Sequence, residues 1–173
     1  MGGCHGIQGY GNRKNDEKYK KMGYPMLIRM SIEGHIAKVE QLINDGTDLC
    51  VTDDHGNNAL HWSASRGFSS IISTILAVSS DKRPDINSIN NFGMTPLHEA
   101  CRSEHEITVG LLYSEGASMD IIDEYGNLPM DYISEKNKQQ FLQTMESFLH
   151  RKKVFAQSGI YDDNDEECIS TCC

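Results

Sequence analysis

The stretch GMTPLHEACR, Gly93 to Arg102, places the pair His98-Glu99 two residues after a proline. Its reading decides whether the chain is built for chemistry or for architecture. Thr95 is a good helix N-cap, because its hydroxyl can accept from free backbone N–H groups, and Pro96 suits the first helical position, where its missing N–H costs nothing. Gly93 suits a tight turn just before them. Leu97, Ala100 and the pair Leu111-Leu112 then give apolar positions at helical spacing, broken near Glu104 and resumed from Ile107. The stretch therefore reads as a turn followed by two short helices.

The same phrase recurs along the chain. Gly56 opens GNNALHWSASRG, with Leu60 and His61 in the places of Leu97 and His98 and with Asn58 in the place of the capping Thr95. Gly126 opens GNLPMDYIS, with Pro129 aligned to Pro96 and Asp131 where the histidine should stand. Upstream, PMLIRMSIEGH repeats it more weakly, Pro25 falling at the cap position and Gly34-His35 aligning with Gly67-Phe68 and Glu104-His105. Gly34 to Gly67 and Gly93 to Gly126 are each 33 residues apart, whereas Gly56 to Gly93 is 37 because the segment Ser79–Asn87 is longer by four than its counterpart.

The period and the T-P-L-H-x-A phrase resemble those of the ankyrin repeat, over roughly Gly23 to His150. Asp53, Asn90 and Asp123 each stand three residues before a repeat glycine, as the family's hairpin loops have it, and Gly46-Thr47 and Gly116-Ala117 match its loop after the second helix. The resemblance implies an all-α solenoid of helix-turn-helix units joined by hairpin loops. It also implies that His61 and His98 are structural, tying one hairpin loop to the next. Three full repeats are followed by a truncated fourth, which runs into DYISEKNKQQFLQTMESFLHRKKVF. There Ile133, Phe141, Leu142, Met145, Phe148 and Leu149 form an apolar stripe among charges, the pattern of a capping helix with one wet face. The expected organisation is a flexible Gly-rich and basic segment over 1–22, the repeat domain with its capping helix over 23–153, and an acidic, cysteine-ending tail over 154–173.

Composition narrows the function. The net charge of −9, with no dense Lys/Arg face interleaved with aromatics, argues against a nucleic-acid surface. The longest apolar run, IISTILAV, is far short of a membrane span. The beginning MGGCHGIQGYGNRKN lacks an apolar h-region, so the six cysteines are expected in a reducing compartment, with Cys50 and Cys101 read as small buried thiols inside repeats. No phosphate-binding glycine loop is present, because GIQGYG lacks a preceding strand and a following helix. His98-Glu99, His105-Glu106 and Cys4-His5 have no third group that sequence places beside them, so no catalytic residues, cofactor or metal are assigned. The chain reads as a non-enzymatic protein-binding module, expected as a cytoplasmic monomer.

The two ends suggest where such a module works. Gly2 is available for myristoylation once Met1 is removed, and Cys4 beside it for palmitoylation, the two signals that stable attachment takes. The motif wants Ser or Thr at the sixth residue and the chain has Gly6. The run NRKNDEKYKK, with five basic and two acidic side chains, would add attraction to an anionic membrane surface. At the other end Cys172 and Cys173 are candidates for palmitoylation, while Ser170 rules out a C-a-a-X reading. Two other readings compete with a membrane-tethered adaptor: a soluble inhibitor or sequestering protein without lipid, and a thiol-redox or metal protein that uses its terminal cysteines.

What the family resemblance implies for binding is a surface made of hairpin tips and first helices. Carried over by position, the tips are Asp54, His55 and Asn57, then Asn91, Phe92 and Met94, then Glu124, Tyr125 and Asn127. The groove positions are Ile32 and Glu33, Ser65 and Arg66, and Arg102 and Ser103. Phe92 and Tyr125 stand out because aromatics dominate interface hot spots. Trp62 takes the variable fifth place of the phrase, where core and groove are both open to it.

Overall fold

Short helices with an apolar face become stable by covering one another, and that is how this chain is arranged. The computed structural model describes residues 24–79 and 81–158, where the chain forms α-helices and one 3-10 turn, with no strand among the described residues. The first unit pairs α1 (Met26–Glu33) with α2 (Ile36–Asn44), the second α3 (Ala59–Arg66) with α4 (Ser69–Leu76), and the third α5 (Pro96–Arg102) with α6 (Glu106–Ser114). In the fourth, the first helix shrinks to the 3-10 turn Pro129–Tyr132, and α7 (Glu135–Ser158) follows. One row consists of α1, α3, α5 and the 3-10 turn; α2, α4, α6 and α7 form the second. This is the all-helical solenoid that the sequence leads one to expect.

Equivalent residues fill equivalent places between the rows. Leu27, Leu60 and Leu97 are fully buried, as are Val39, Ile72 and Val109, and the pair Ile75 and Leu112. Each set repeats at the sequence period, so one apolar pattern builds a continuous core. The caps were equally legible. Asn58 Oδ1 accepts from the N–H groups of Leu60 and His61 at 3.0 and 3.1 Å, and Thr95 Oγ1 accepts from that of His98 at 3.4 Å. Pro25 caps α1 without a side-chain bond, which accounts for the weakness of the phrase there.

The chain between the two helices of a unit turns through a left-handed residue. At Gly67, φ is +75°, and an added Cβ would lie 2.7 Å from Nδ1 of His105 in the next unit. Both conformation and space demand glycine there. The corresponding residue of the third unit is Glu104, the one non-glycine residue with positive φ (54°) among those described. Its carboxylate accepts from the Ser134 N–H at 3.1 Å and from Asn137 Nδ2 at 3.0 Å, so it holds the start of α7. Hydrogen bonds from Ser134 draw this carboxyl below its usual range.

The final helix lies along α6. Glu106 accepts from Gln140 Nε2 at 2.7 Å and from the Thr144 hydroxyl, while Lys152 donates to the Ser114 carbonyl at 2.8 Å and pairs with Glu115 at 3.1 Å. Phe148 sits over Gly110, where a Cβ would meet its ring at 2.7 Å. Three expectations need correction or extension. Leu142 is exposed, because Phe141 and Met145 define the buried stripe and Leu142 is rotated about 100° from Phe141. Cys50 is exposed and not buried, since Leu49 turns into the core and its neighbour turns outward. The last helix continues past residue 153 as far as Ser158, with no Gly or Pro within it.

Candidate protein-binding surface

The hairpin loops are built by one repeated device. Asp53 Oδ1 accepts from the N–H groups of His55 and Asn57, both at 2.9 Å, and the Asp123 carboxylate does the same for Tyr125 and Asn127. Asn90 Oδ1 takes the N–H groups of Phe92 and Met94 at 2.9 and 3.0 Å. A short polar side chain thus closes each turn on itself. Burial alone would raise the Asp123 carboxyl, but the Tyr132 hydroxyl and the N–H groups of Asn127 and Tyr125 hold it below its ordinary value.

Successive loops are tied by backbone and side chain together. The Asn91 N–H donates to the His55 carbonyl at 2.9 Å, and the Glu124 N–H to the Phe92 carbonyl at 3.1 Å. Beneath them His61 Nε2 donates to the Met94 carbonyl at 3.0 Å, and His98 Nε2 to the Asn127 carbonyl at 3.3 Å. A carbonyl can only accept, so Nε2 carries the proton in both rings. Nδ1 of His98 takes the Thr95 N–H at 3.1 Å and the Thr95 hydroxyl at 2.9 Å. Burial lowers the His61 pKa to about 4 and lowers that of His98 as well. Neither ring is exposed, and both do the tying that their place in the phrase implies.

A second regularity escaped the sequence reading. Six residues after each repeat glycine stand Trp62, Glu99 and Tyr132. Trp62 Nε1 donates to Asp53 Oδ2 at 2.8 Å, and the Tyr132 hydroxyl donates to Asp123 Oδ2. In the middle repeat the loop residue is the uncharged Asn90, and the partner position holds a carboxylate instead, Glu99, which accepts from Arg102 at 2.5 Å. A donor faces each loop aspartate and no carboxylate faces another. The signal was the exchange of Asp for Asn together with the exchange of an aromatic donor for Glu.

Trp62 is half-buried, stacked at a tilt on Tyr24 with 6.5 Å between centroids, and it helps line a shallow depression with Asn57, Ser65, Glu99 and Arg102. Burial raises the Glu99 carboxyl against the opposing pull of Arg102. Asp54, His55, Asn91, Phe92, Glu124 and Tyr125 are exposed at the loop tips, with Arg66 and Arg102 exposed on the first helices. Asn57 and Asn127 are half-buried, each tied by its N–H to the loop carboxylate. The rings of His55 and Phe92 are 6.1 Å apart, which joins two neighbouring tips. Met94 is a correction: it is buried at 2 % exposure, because its N–H closes the loop and its carbonyl receives His61. Ile32 also belongs to the core, leaving Glu33, Ser65 and Ser103 as half-buried neighbours of the groove. The reading from sequence missed Ile89 and Ile122, each 60 % exposed and each one residue before a loop polar residue. Gly2, Cys4, Cys172 and Cys173 lie outside the described residues.

Among the described residues no three His, Cys, Asp or Glu side chains converge as metal ligands, and no helix is long and apolar enough to cross a membrane. Burial pushes the Cys101 thiol up to about 12, which keeps it protonated and unreactive at neutral pH.

The repeats have counterparts in the sequences of known proteins. A family model described as ankyrin repeats, in three copies, matches residues 26–123. An ankyrin and IPT/TIG repeat-containing protein of Schizosaccharomyces pombe is 28% identical over 82% of this chain, and the B-cell lymphoma 3 protein homolog of Mus musculus is 28% identical over 69%. Inversin of Danio rerio is 35% identical over 44%. The matched regions are 14%, 26% and 7% of those proteins' own lengths, so the chain corresponds to a small part of each. With three copies matched over more than half its length, on units whose capping, turns and ties repeat in space, the chain belongs to the ankyrin-repeat family.

Proposed function

We propose that this interaction module acts as an adaptor, its hairpin tips and first-helix groove recognising another protein while N-terminal acylation holds the pair at the cytoplasmic face of a membrane. The observation that carries the recognition half is the exposure of Phe92 and Tyr125 on loops locked by the bonds just described. A rigid aromatic loses little freedom on binding, which makes it an efficient anchor. Photo-crosslinking tests this half. A benzophenone amino acid at Phe92 or Tyr125 should give discrete heavier adducts in cells, and one at Gln143 on the outer face of the final helix should give none. Adducts from Gln143 alone would move the partner to the opposite face.

The tether rests on Gly2 and Cys4 followed by the cations Arg13, Lys14, Lys18, Lys20 and Lys21. One myristoyl chain gives only marginal attachment, so the reading requires the second acyl group. Protein from eukaryotic cells should show the mass of a myristoyl group on Gly2 and a hydroxylamine-labile acyl group on Cys4. Gly2→Ala should abolish both, and Cys4→Ser should leave most of the protein soluble. Bare or acetylated termini with all protein in the cytosolic fraction would overturn the tether and leave a soluble binding module. Hydroxylamine-sensitive pelleting with Gly2 bare would instead place the anchor at Cys172 and Cys173.

A further inference from the structure

Five of the large apolar side chains exposed among the described residues belong to two adjacent hairpins: Ile89 and Phe92 on the one that opens the third unit, Ile122, Tyr125 and Leu128 on the one that opens the fourth. Scattered exposed apolar residues need no cause, but a set repeated on two loops joined by a backbone bond, Glu124 N–H to the Phe92 carbonyl, marks a contact surface. Within the two hairpins the charge has one sign, although Lys138 of the final helix acts on Asp131 from outside them. Residues 84–93 and 117–132 contain no Lys, Arg or His, while Asp85, Asp120, Glu124 and Asp131 are exposed among them.

The flank of the last hairpin is also open among the described residues. An added Cβ at Gly93 would meet the Glu124 backbone N at 3.0 Å, because the fourth loop is stacked on the third; at Gly126 nothing lies within 4 Å. The final helix packs on α6, in the other row.

We propose that the hairpins of the third and fourth units dock an extended segment of a partner protein in which apolar side chains alternate with lysine or arginine. The proposal rests on the reading of the loops as the partner surface and adds the partner's chemistry. Apolar residues of the segment would lie on Ile89, Phe92, Ile122 and Tyr125, and its cations would face the four carboxylates. An acidic or neutral segment would leave those carboxylates uncompensated beside a desolvated contact. The chain's own run over residues 12–21 has five cations but only Tyr19 as an apolar side chain, so it matches half of the requirement.

The test titrates the full-length ¹⁵N-labelled protein with a nine-residue acetylated peptide alternating lysine with valine and proline. Control peptides carry glutamate in place of lysine, or serine in place of valine and proline. Amide shifts should concentrate in residues 85–93 and 118–131, weaken severalfold at high salt, and be absent with both controls. Ile89→Ser with Ile122→Ser should weaken binding at least tenfold at an unchanged urea midpoint, and Asp120→Asn with Glu124→Gln should weaken it and flatten its salt dependence. Equal binding of the glutamate peptide, or shifts confined to Ser65, Arg102 and Ser103, would overturn the proposal. Binding that appears only after Arg13, Lys14, Lys18, Lys20 and Lys21 are changed to Ser would overturn it in favour of the chain's own basic segment. Self-association abolished by the isoleucine variants would overturn it in favour of a second copy. If crosslinks persist at Tyr125 in cells while the lysine peptide fails to bind, the partner's chemistry is wrong and the interaction reading survives; loss of both removes both.

Discussion

Burial of the His61 ring disfavours its charged form, so the fold and the proton compete for it. Its folded pKa of about 4 lies below the ordinary 6.5. The unfolded chain therefore binds the proton more readily, and stability must fall as pH drops from above 6.5 towards 4. Between pH 7 and pH 5 this one residue should cost about 2 kcal/mol. His98, lowered for the same reason, acts in the same direction. Glu99, raised by burial, acts oppositely and offsets part of the loss at the acid end. Urea melts at pH 7 and 5 check the balance, and His61→Gln should be less stable at pH 7 with a shallower pH slope. A pH slope that is the same in His61→Gln as in the parent protein would mean that the ring is charged in the fold. The role of both histidines was legible in sequence because they sit in a phrase with a capping residue and a repeat glycine. The burial of Met94 was not: two residues past a tip it looks like loop, and only its paired N–H and carbonyl show it turned inward.

At the scale of elements, Glu104 separates two costs that usually come together. Its left-handed backbone disfavours any side chain, while its carboxylate fastens the start of the last helix. Glu104→Ala should lose the fastening and keep the strain, so it should be the least stable variant. Glu104→Gly loses the same bonds but relieves the backbone, and should melt about 3 to 5 °C above the alanine variant. Equal melting temperatures would show that the turn has relaxed away from positive φ. Glu104 in place of glycine was visible in the alignment of Gly34, Gly67 and Glu104, yet its function was not, since its partners Ser134 and Asn137 are about one repeat away. Periodicity locates helices and turns well; it says little about contacts made where the period fails, as in the long last helix.

For the whole molecule, a stack this short has little redundancy. Leu97→Ala removes a fully buried side chain from the middle of the first row and should cost about 2 to 5 kcal/mol. Each unit is stable only through its neighbours, so circular dichroism and the fluorescence of Trp62 in the second unit should report one coincident, lowered transition. Trp62 fluorescence that survives while helicity falls would mean the first two units stand alone. The seam between α6 and the final helix has a mechanical consequence. Its contacts run in the same order along both helices, from Glu106 with Gln140 to Ser114 and Glu115 with Lys152. A pull on the C-terminal end therefore loads the Lys152 contacts first and opens the seam like a zipper, one bond at a time and at low force. The paired rows behind it are loaded only after the helix has peeled away. In a chain held at one end and tugged at the other, the last helix would act as a fuse, yielding before the loops of the proposed binding surface are deformed.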